Sequence, residues 1–421
     1  MRGWTDRLTQ GWRSHFVPGL AAALLAGTAA ADQNHYVNLL IGDRASGMGG
    51  AYTAVSDDPS GLYYNPAGIA YAPGGNLSAS MNAFNYTHTE YQEALGGRNW
   101  QRTSTSLLPN FFGVIQPVAG GVLGFSYAVP DSIIEDQDQQ YPGVPTSLSS
   151  NDADFTINFN NQDTTYNVGP SFAYAFSKDF SVGATLYAYQ RSQELISNQV
   201  FELPGGYHWE NSYLHVEEYG IKPILGVMWS PAQKIALGVS ATWPQILYGQ
   251  RFVQRSCATQ FNISSSQCVQ GTLNITKAEA RYERDLPWNV DMGVALFPTK
   301  ALLVAAKGSL YQDLYGGGLP KWNAALGMEY YFTPRMALRL GTYTDMANSP
   351  AVQSGSTDQT EHDNLYGASV SLSRFTRTSA ITVGASGRYG QGQAQVVSGS
   401  SAIQDVSMLS VTLFMSASYS Y

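Results

Sequence analysis

Four charged residues lie on the polar face of four successive predicted strands in the C-terminal half of the chain: Asp291, Lys307, Glu329 and Arg339. Each carboxylate has a cation on the next strand, so the four groups can form two cross-strand ion pairs. Pairing is expected because a single unpaired charge in a dry interior is costly. The same groups can also bind a ligand head group or form a gate. The sequence leaves both interpretations open.

The chain lacks the short motifs of common catalytic and nucleotide-binding sites, namely H-E-x-x-H, G-x-x-x-x-G-K-[ST] and G-x-S-x-G. Gly47, Gly49 and Gly50 do not have the spacing of a dinucleotide-binding loop. The six histidines are scattered, and the two cysteines, Cys257 and Cys268, are close enough to predict one disulfide in an exported protein. We therefore expect no enzymatic activity, no cofactor and no metal site.

The chain after residue 75 alternates between apolar and polar residues, which predicts strands with one apolar and one polar face. Near the C-terminus, for example, Leu413, Met415 and Tyr419 alternate with serine and threonine. The polar faces include mid-strand charges, which a small packed core would not accept unpaired. We therefore expect the apolar faces to contact lipid, in an all-β, transmembrane, antiparallel β-barrel.

The connections between the predicted strands fall into two classes. Six short turns, most with an aromatic residue at one edge and a basic residue at the other, alternate with long polar stretches such as 131–162 and 194–212. Short turns at one end and long loops at the other are typical of outer-membrane barrels. Six short turns, with one strand before and one after, predict about fourteen strands over residues 76–421.

Residues 1–31 have the features of a secretory signal peptide. Arg2, Arg7 and Arg13 precede an apolar run from Phe16 to Ala26, and Ala29-Ala30-Ala31 ends the segment. Export together with a lipid-facing barrel indicates the outer membrane of a Gram-negative bacterium. We expect a monomer surrounded by outer-membrane lipid and lipopolysaccharide, and the acidic composition argues against nucleic-acid binding.

Residues 32–75 precede the first predicted strand and are rich in turn-forming residues. Glycines allow a compact chain to fit within a confined lumen, and Asp57 and Asp58 can cap turns or pair with Arg44. The segment also contains too many apolar and aromatic residues for a disordered tail. We therefore predict that residues 32–75, called the hatch below, plug the barrel.

The stretch RASGMGGAYTAVSDDPSGLYYNPAGIA, residues 44–70, resembles the N-terminal hatch signature of FadL-type outer-membrane transporters of long-chain fatty acids and aromatic hydrocarbons. The resemblance is carried by Arg44, Gly47, Gly49, Gly50, Asp57, Asp58, Asn65, Pro66, Ala67 and Gly68. It implies a fourteen-stranded barrel closed by the hatch. It also implies passive uptake of a ligand that enters from outside, rests in an apolar pocket and leaves sideways through a gap at a kinked strand.

The implied gap falls on the third strand, where Gly124 or Pro130 can interrupt strand pairing. A sideways exit suits a hydrophobic ligand, because each methylene that reaches hydrocarbon contributes about 0.8 kcal/mol. No family motif identifies the pocket residues. Our candidates are the aromatic residues Phe111, Phe112, Phe125 and Tyr127.

A similar glycine-rich start with Asn-Pro-Ala-Gly also occurs in PorV-like barrel components of a protein secretion system. This second interpretation predicts a protein partner at the external loops or the lateral opening. The first predicts a hydrophobic small molecule or lipid as the partner.

Overall fold

The computed structural model describes residues 35–145, 152–262, 268–316, 320–396 and 400–421. The predicted signal peptide, residues 1–31, lies outside the described residues. The described chain contains a short helical segment followed by strands. None of the described helices is long and apolar enough to cross a membrane.

Three short helices precede the strands: α1 (Asp43–Gly47), α2 (Gly61–Tyr64) and a 3-10 helix (Pro66–Tyr71). The first eight strands are β1 (Asn76–Tyr91), β2 (Trp100–Val118), β3 (Gly121–Val144), β4 (Ala153–Ala175), β5 (Phe180–Leu203), β6 (Gly206–Ala232), β7 (Ile235–Thr242) and β8 (Gln245–Thr259). The other eight are β9 (Leu273–Arg281), β10 (Asn289–Thr299), β11 (Leu302–Tyr311), β12 (Lys321–Thr333), β13 (Met336–Met346), β14 (His362–Phe375), β15 (Ser379–Ala394) and β16 (Gln404–Ser420).

These sixteen segments form a closed barrel of fourteen antiparallel strands. β7 and β8 are two parts of one strand, which pairs with β6 along both parts. β9 and β10 are likewise two parts of the next strand, pairing with β8 and β7 respectively. β1 pairs with β16, which closes the ring. The predicted fold class and strand number are confirmed.

The barrel carries its apolar residues on the outside. On β16, Leu413, Met415 and Tyr419 are exposed, whereas Ser410 and Ser416 on the opposite face are buried. The same arrangement holds on β10, where Met292 is exposed and Asp291 is buried. An apolar outer surface with a polar interior is the reverse of a soluble barrel, so the solvent of the outer face is lipid.

The wall formed by β3–β6 is longer than the sequence predicts. These four strands have 24, 23, 24 and 27 residues. The stretches 131–162 and 194–212, expected as loops, are instead mostly paired strand. Their asparagine and glutamine side chains bond across strands, as in the 2.8 Å contact from Asn198 Nδ2 to Asn158 Oδ1. The inward residues Phe155 and Phe159 are fully buried. The prediction of loops from polar composition was wrong because these polar side chains form hydrogen bonds with one another between neighbouring strands.

Candidate functional site

The described hatch residues, 35–75, lie inside the barrel. Ile41, Met48, Tyr52, Leu62 and Ile69 are completely buried, some against one another and some against the inner wall. The helices contact β3–β6 on one side and β13–β16 on the other. The hatch therefore fills the part of the lumen nearest the short turns, as a plug does. We call the short-turn end of the barrel the lower end and the opposite end the upper end.

The Asn65-Pro66-Ala67-Gly68 element attaches the hatch to the wall. Asn65 Nδ2 donates hydrogen bonds to the carbonyl of Thr53 at 2.8 Å and to that of Val227, on β6, at 3.1 Å. Its Oδ1 accepts the backbone N–H of Ala67 at 3.2 Å and so caps the 3-10 helix. A β-carbon on Gly68 would stand 2.4 Å from the carbonyl oxygen of Ser56. The motif therefore holds a tight turn against a strand.

The glycines of the hatch allow its backbone to approach the wall closely. Gly49 and Gly50 have φ angles of 64° and 77°, which favour glycine. A β-carbon on Gly47 would stand 2.1 Å from Ser371 Oγ. The wall contributes glycines of its own that face the hatch backbone: Gly183, Gly226, Gly238, Gly327 and Gly341.

Arg44 anchors the hatch to the lower wall through charge. Its guanidinium donates to both oxygens of Glu329, at 2.9 Å and 2.8 Å, and also to Asp57. Glu329 accepts a second arginine, Arg339, at 2.5 Å. Asp58 instead accepts the backbone N–H of Ser60 at 2.8 Å. Burial, together with the nearby Asp43 and Asp57 carboxylates, raises the pKa of Asp58 to about 6.

The four lumen charges divide into two sets with different surroundings. Glu329 and Arg339 are opposite each other on β12 and β13 and hold the hatch. Asp291 and Lys307 lie on β10 and β11 with Nζ and Oδ1 4.0 Å apart, and both line a cavity above the hatch. The first pair therefore joins the hatch to the wall, whereas the second pair borders the cavity.

This cavity has a volume of about 400 Å³, within the range of small-molecule sites. Its floor is formed by hatch residues, including Tyr63 and Tyr64. Lys222 Nζ lies 3.4 Å from the Tyr63 hydroxyl and 4.7 Å from its ring centre, and Lys307 Nζ lies 5.7 Å from the ring centre of Tyr64. Among the residues the structure describes, no carboxylate lies within 4.0 Å of the Lys222 ammonium. The cavity therefore combines apolar surface with charged groups of both signs: two ammonium groups line it, and so do the side chains of Asp131, Asp285 and Asp291.

A buried ionic network forms one side of the cavity. Arg191 is bonded to Asp163 and, at 3.0 Å, to Glu218. Arg284 also bonds Glu218, at 2.9 Å, and donates to the Tyr189 hydroxyl at 2.8 Å. Sequence reasoning missed this network and Lys222, because the register that places Arg191 opposite Glu218 runs through stretches that were expected as loops.

A histidine close to the predicted start of the mature chain fixes the upper end of the hatch. His35 is buried, with ring nitrogens 3.4 Å from Asp345 and 2.9 Å from Asp363, on β13 and β14. Arg388 also contacts Asp345, at 3.0 Å. Sequence reasoning missed this cluster as well, because the histidine lies some 300 residues from its partners in the chain.

The aromatic pocket candidates do not line the cavity. Phe112 and Phe125 are exposed on the outer face, and Tyr127, opposite Phe112, shares that face. Phe111 points inward but packs in the core formed with the hatch. Strand alternation places three of the four side chains toward lipid, away from the cavity above the hatch.

The pairing of β2 with β3 is interrupted at Pro130. The strands pair from Val118↔Gly121 to Phe111↔Ala128 and again at Ser104↔Glu135, which leaves 105–110 and 129–134 unpaired with each other. We call this the β2–β3 gap. The hatch lies behind it: Leu39 N–H donates to the Pro130 carbonyl at 3.0 Å. Pro130 also lines the cavity.

Gly124, the other residue considered for a kink, pairs regularly with Ile115 and Ser171 and is therefore not a point of interruption. A β-carbon there would stand 2.3 Å from Leu62 Cδ2, so this glycine makes room for the hatch.

Cys257 and Cys268 form a disulfide with their Cα atoms 5.8 Å apart, beside the loop that follows β8.

Known structures share this architecture. No family model and no curated protein matches the sequence. The Pseudomonas putida toluene transporter TodX superposes with a TM-score of 0.64 at 13% identity, over 92% of this chain and 99% of that one. A Pseudomonas aeruginosa FadL homologue gives 0.63 at 13% identity, again over 92% and 99%. The Ralstonia pickettii toluene transporter TbuX gives 0.60 at 13% identity with the same coverage.

The hatch and the closed barrel of fourteen strands belong to one architecture, and the family resemblance of residues 44–70 is confirmed at the level of the fold. The chain has the fold of the FadL-type outer-membrane transporters.

Proposed function

We propose that the protein is a passive outer-membrane channel for hydrophobic molecules that carry an anionic head group, with long-chain fatty acids as the substrate class. The ligand binds in the cavity above the hatch and leaves sideways into the membrane through the β2–β3 gap. One observation carries this proposal: a cavity with two ammonium groups extends to Pro130, at an interruption of strand pairing in a lipid-facing wall.

The two lysines favour a carboxylate over a bare hydrocarbon. A nearby anion stabilises the charged form of a half-buried ammonium group beside tyrosine rings, because desolvation penalises an unpaired ion. Lys222 lies on the cavity wall without a carboxylate at ion-pair distance among the described residues, and Lys307 shares Asp291. A ligand carboxylate beside Lys222 supplies the anion that this ammonium lacks, while the ligand's alkyl chain occupies apolar surface toward the gap.

The closed floor of the cavity supports lateral release. The hatch fills the lumen below the cavity, so a ligand that continued downward would have to displace a buried plug. The gap instead leads to hydrocarbon, where each methylene contributes about 0.8 kcal/mol.

We also propose that residues 1–31 direct export, that the chain functions in the outer membrane of a Gram-negative bacterium, and that it acts as a monomer.

The test is ligand binding to the purified protein. Replacing both cavity lysines, Lys222→Met and Lys307→Met, is expected to weaken binding of a long-chain fatty acid by about tenfold or more, since a charge-assisted hydrogen bond contributes roughly 1.5–3 kcal/mol. Binding of toluene should be unchanged. Lys234→Met, in an exposed turn, is the matched control.

A protein that binds neither ligand, or that loses both equally in the double variant, would contradict the proposal. The secretion-system alternative predicts a co-purifying protein partner and no cavity ligand. Mass spectrometry of the protein isolated from native membranes separates the two, because the transporter should carry bound lipid.

A further inference from the structure

The barrel wall contains a second interruption, between the strand formed by β7 and β8 and the strand formed by β9 and β10. The two strands pair up to Thr242↔Asn289 and again from Gln250↔Arg281. Beyond these pairs, Tyr282 N–H still bonds the Gly249 carbonyl at 3.0 Å. Residues 243–248 and 283–288 remain, and among the described residues they do not pair with each other. We call these two stretches the second gap.

The register of the second gap shows why it stays open. The same register holds below and above it, so each strand contributes an equal number of unpaired residues to the gap. Continued across the gap, this register places Pro244 opposite Pro287. Neither proline has an N–H, so no ladder hydrogen bond can form between them. The two strands therefore separate where these prolines meet.

The β2–β3 gap has the same construction. Its register is also unchanged above and below the interruption, and it places Pro109 opposite Pro130. In each gap, the facing prolines are two residues beyond the last residue pair below the gap. That pair is Phe111↔Ala128 in the β2–β3 gap and Thr242↔Asn289 in the second gap. The two openings are therefore structural equivalents, five strands apart around the barrel.

Both gaps lie at the level of the hydrocarbon. The paired stretch below the second gap is β7, with 8 residues, and Gly121–Ala128 below the β2–β3 gap is equally long. A strand of this length rises roughly 19 Å along the membrane normal, at about 3.3 Å per residue and a tilt of about 45°, within an apolar band about 25 Å tall. The outer rim of the second gap exposes Trp243, Leu247 and Trp288.

The second gap opens inward onto the same cavity. Pro244, Leu286 and Pro287 line the cavity on this side, as Pro130 does on the other. Arg284, within the gap, extends its guanidinium to Glu218 on β6 and to the Tyr189 hydroxyl on β5, at 2.9 Å and 2.8 Å. A cationic side chain thus stands at the inner mouth of the second gap, and it lines the same cavity as Lys222.

We infer that the second gap is another lateral port, through which a hydrophobic molecule with an anionic head group passes between the cavity and the surrounding lipid, in parallel with the β2–β3 gap. Arg284 holds the inner mouth closed until the ligand carboxylate replaces Glu218 as its partner. This inference rests on the proposed function, because it takes the same ligand and the same cavity.

The test blocks each port separately with a bulky label. Single-cysteine variants, Ile133→Cys in the β2–β3 gap and Leu286→Cys in the second gap, are modified with pyrene maleimide, which is possible because the native cysteines form a disulfide. Leu296→Cys, exposed on the outer face of β10 below the gap, is the labelled control. Uptake of a fluorescent long-chain fatty acid into proteoliposomes and its equilibrium binding are measured for each labelled protein.

We expect a label at position 133 alone to leave residual uptake. In the Ile133→Cys, Leu286→Cys double variant, labels at both positions should remove this residual uptake, while equilibrium binding of the fatty acid in the cavity persists. Arg284→Ala should raise the residual uptake, whereas Arg281→Ala, whose side chain pairs with Glu283 on the surface, should not.

The inference is overturned if the thiol of the Leu286→Cys variant does not react, if a label at position 133 alone abolishes uptake, or if a label at position 286 has no effect. Loss of ligand binding by the unlabelled protein would instead contradict the proposed function itself.

Discussion

Replacing Glu329 with alanine is expected to release the hatch and convert the closed barrel into an open pore. The carboxylate receives Arg44 from the hatch and Arg339 from the wall. Its removal takes the shared anion from the buried Arg339 guanidinium and leaves Arg44 bonded to Asp57. Breaking a buried ion pair in this way costs about 3–5 kcal/mol. Since Arg44 is the ionic anchor of the lower hatch, most of this cost falls on hatch docking. Conductance in planar bilayers and leakage of a small hydrophilic dye from proteoliposomes should both increase.

The matched control is Glu279→Ala, which removes a carboxylate from the exposed strand β9 and should leave conductance at the level of the parent protein. The Glu329→Gln variant should lie between the two, because an amide oxygen still accepts one arginine hydrogen bond. If Glu329→Ala forms a folded barrel with unchanged conductance, the ionic anchor does not hold the hatch.

A β-carbon at position 341 is expected to displace the central turn of the hatch. In Gly341→Ala the added carbon would stand 2.1 Å from the backbone nitrogen of Gly49 and 2.2 Å from the carbonyl carbon of Met48. Overpacking typically costs about 1–3 kcal/mol and more when backbone cannot move aside. Hydrogen exchange of amides 46–53 should accelerate strongly, while the amides of β13 and β14 stay protected.

Gly308→Ala provides the control, because a β-carbon there would meet no atom within 4 Å. Its hatch amides should exchange like those of the parent protein. Equal exchange in both variants would mean that the hatch does not lie against β13 at this position.

The sequence predicts the barrel well because alternation is a local property. Leu413, Met415 and Tyr419 show their outward face without knowledge of any partner strand. The six short turns then give the number of strands, since each turn joins two neighbours. The hatch is identifiable for a similar reason: its glycines and Asn65 have specific backbone roles within one short stretch.

The cavity was much harder to predict, because it depends on which strands meet. Lys222 and Lys307 lie on β6 and β11, and only the closed barrel brings them to one site. Aromatic type alone does not identify inward-facing residues: Phe112 and Phe125 are exposed on the outer face, since an aromatic residue near a gap faces lipid as readily as the lumen. Local patterns therefore identify the fold but not the residues that line the cavity.

The two gaps show a signal that was present but incomplete. A proline within a predicted strand marks Pro130 as a break in pairing, whereas Pro109 becomes significant only when the register places it opposite Pro130. The meaning of Pro244 and Pro287 depends on a register that joins strands across a long loop. Facing prolines become informative only when the pairing is known.

Photolabelling with a diazirine-bearing long-chain fatty acid tests the central claim most directly. The labelled protein is digested, and the modified peptides are identified by mass spectrometry. If the ligand binds above the hatch and leaves through the wall, labels should fall on the cavity residues near Lys222 and on 105–110 and 129–134 in the β2–β3 gap. Labels confined to the extracellular ends of the strands, or to hatch residues below the cavity, would contradict lateral release.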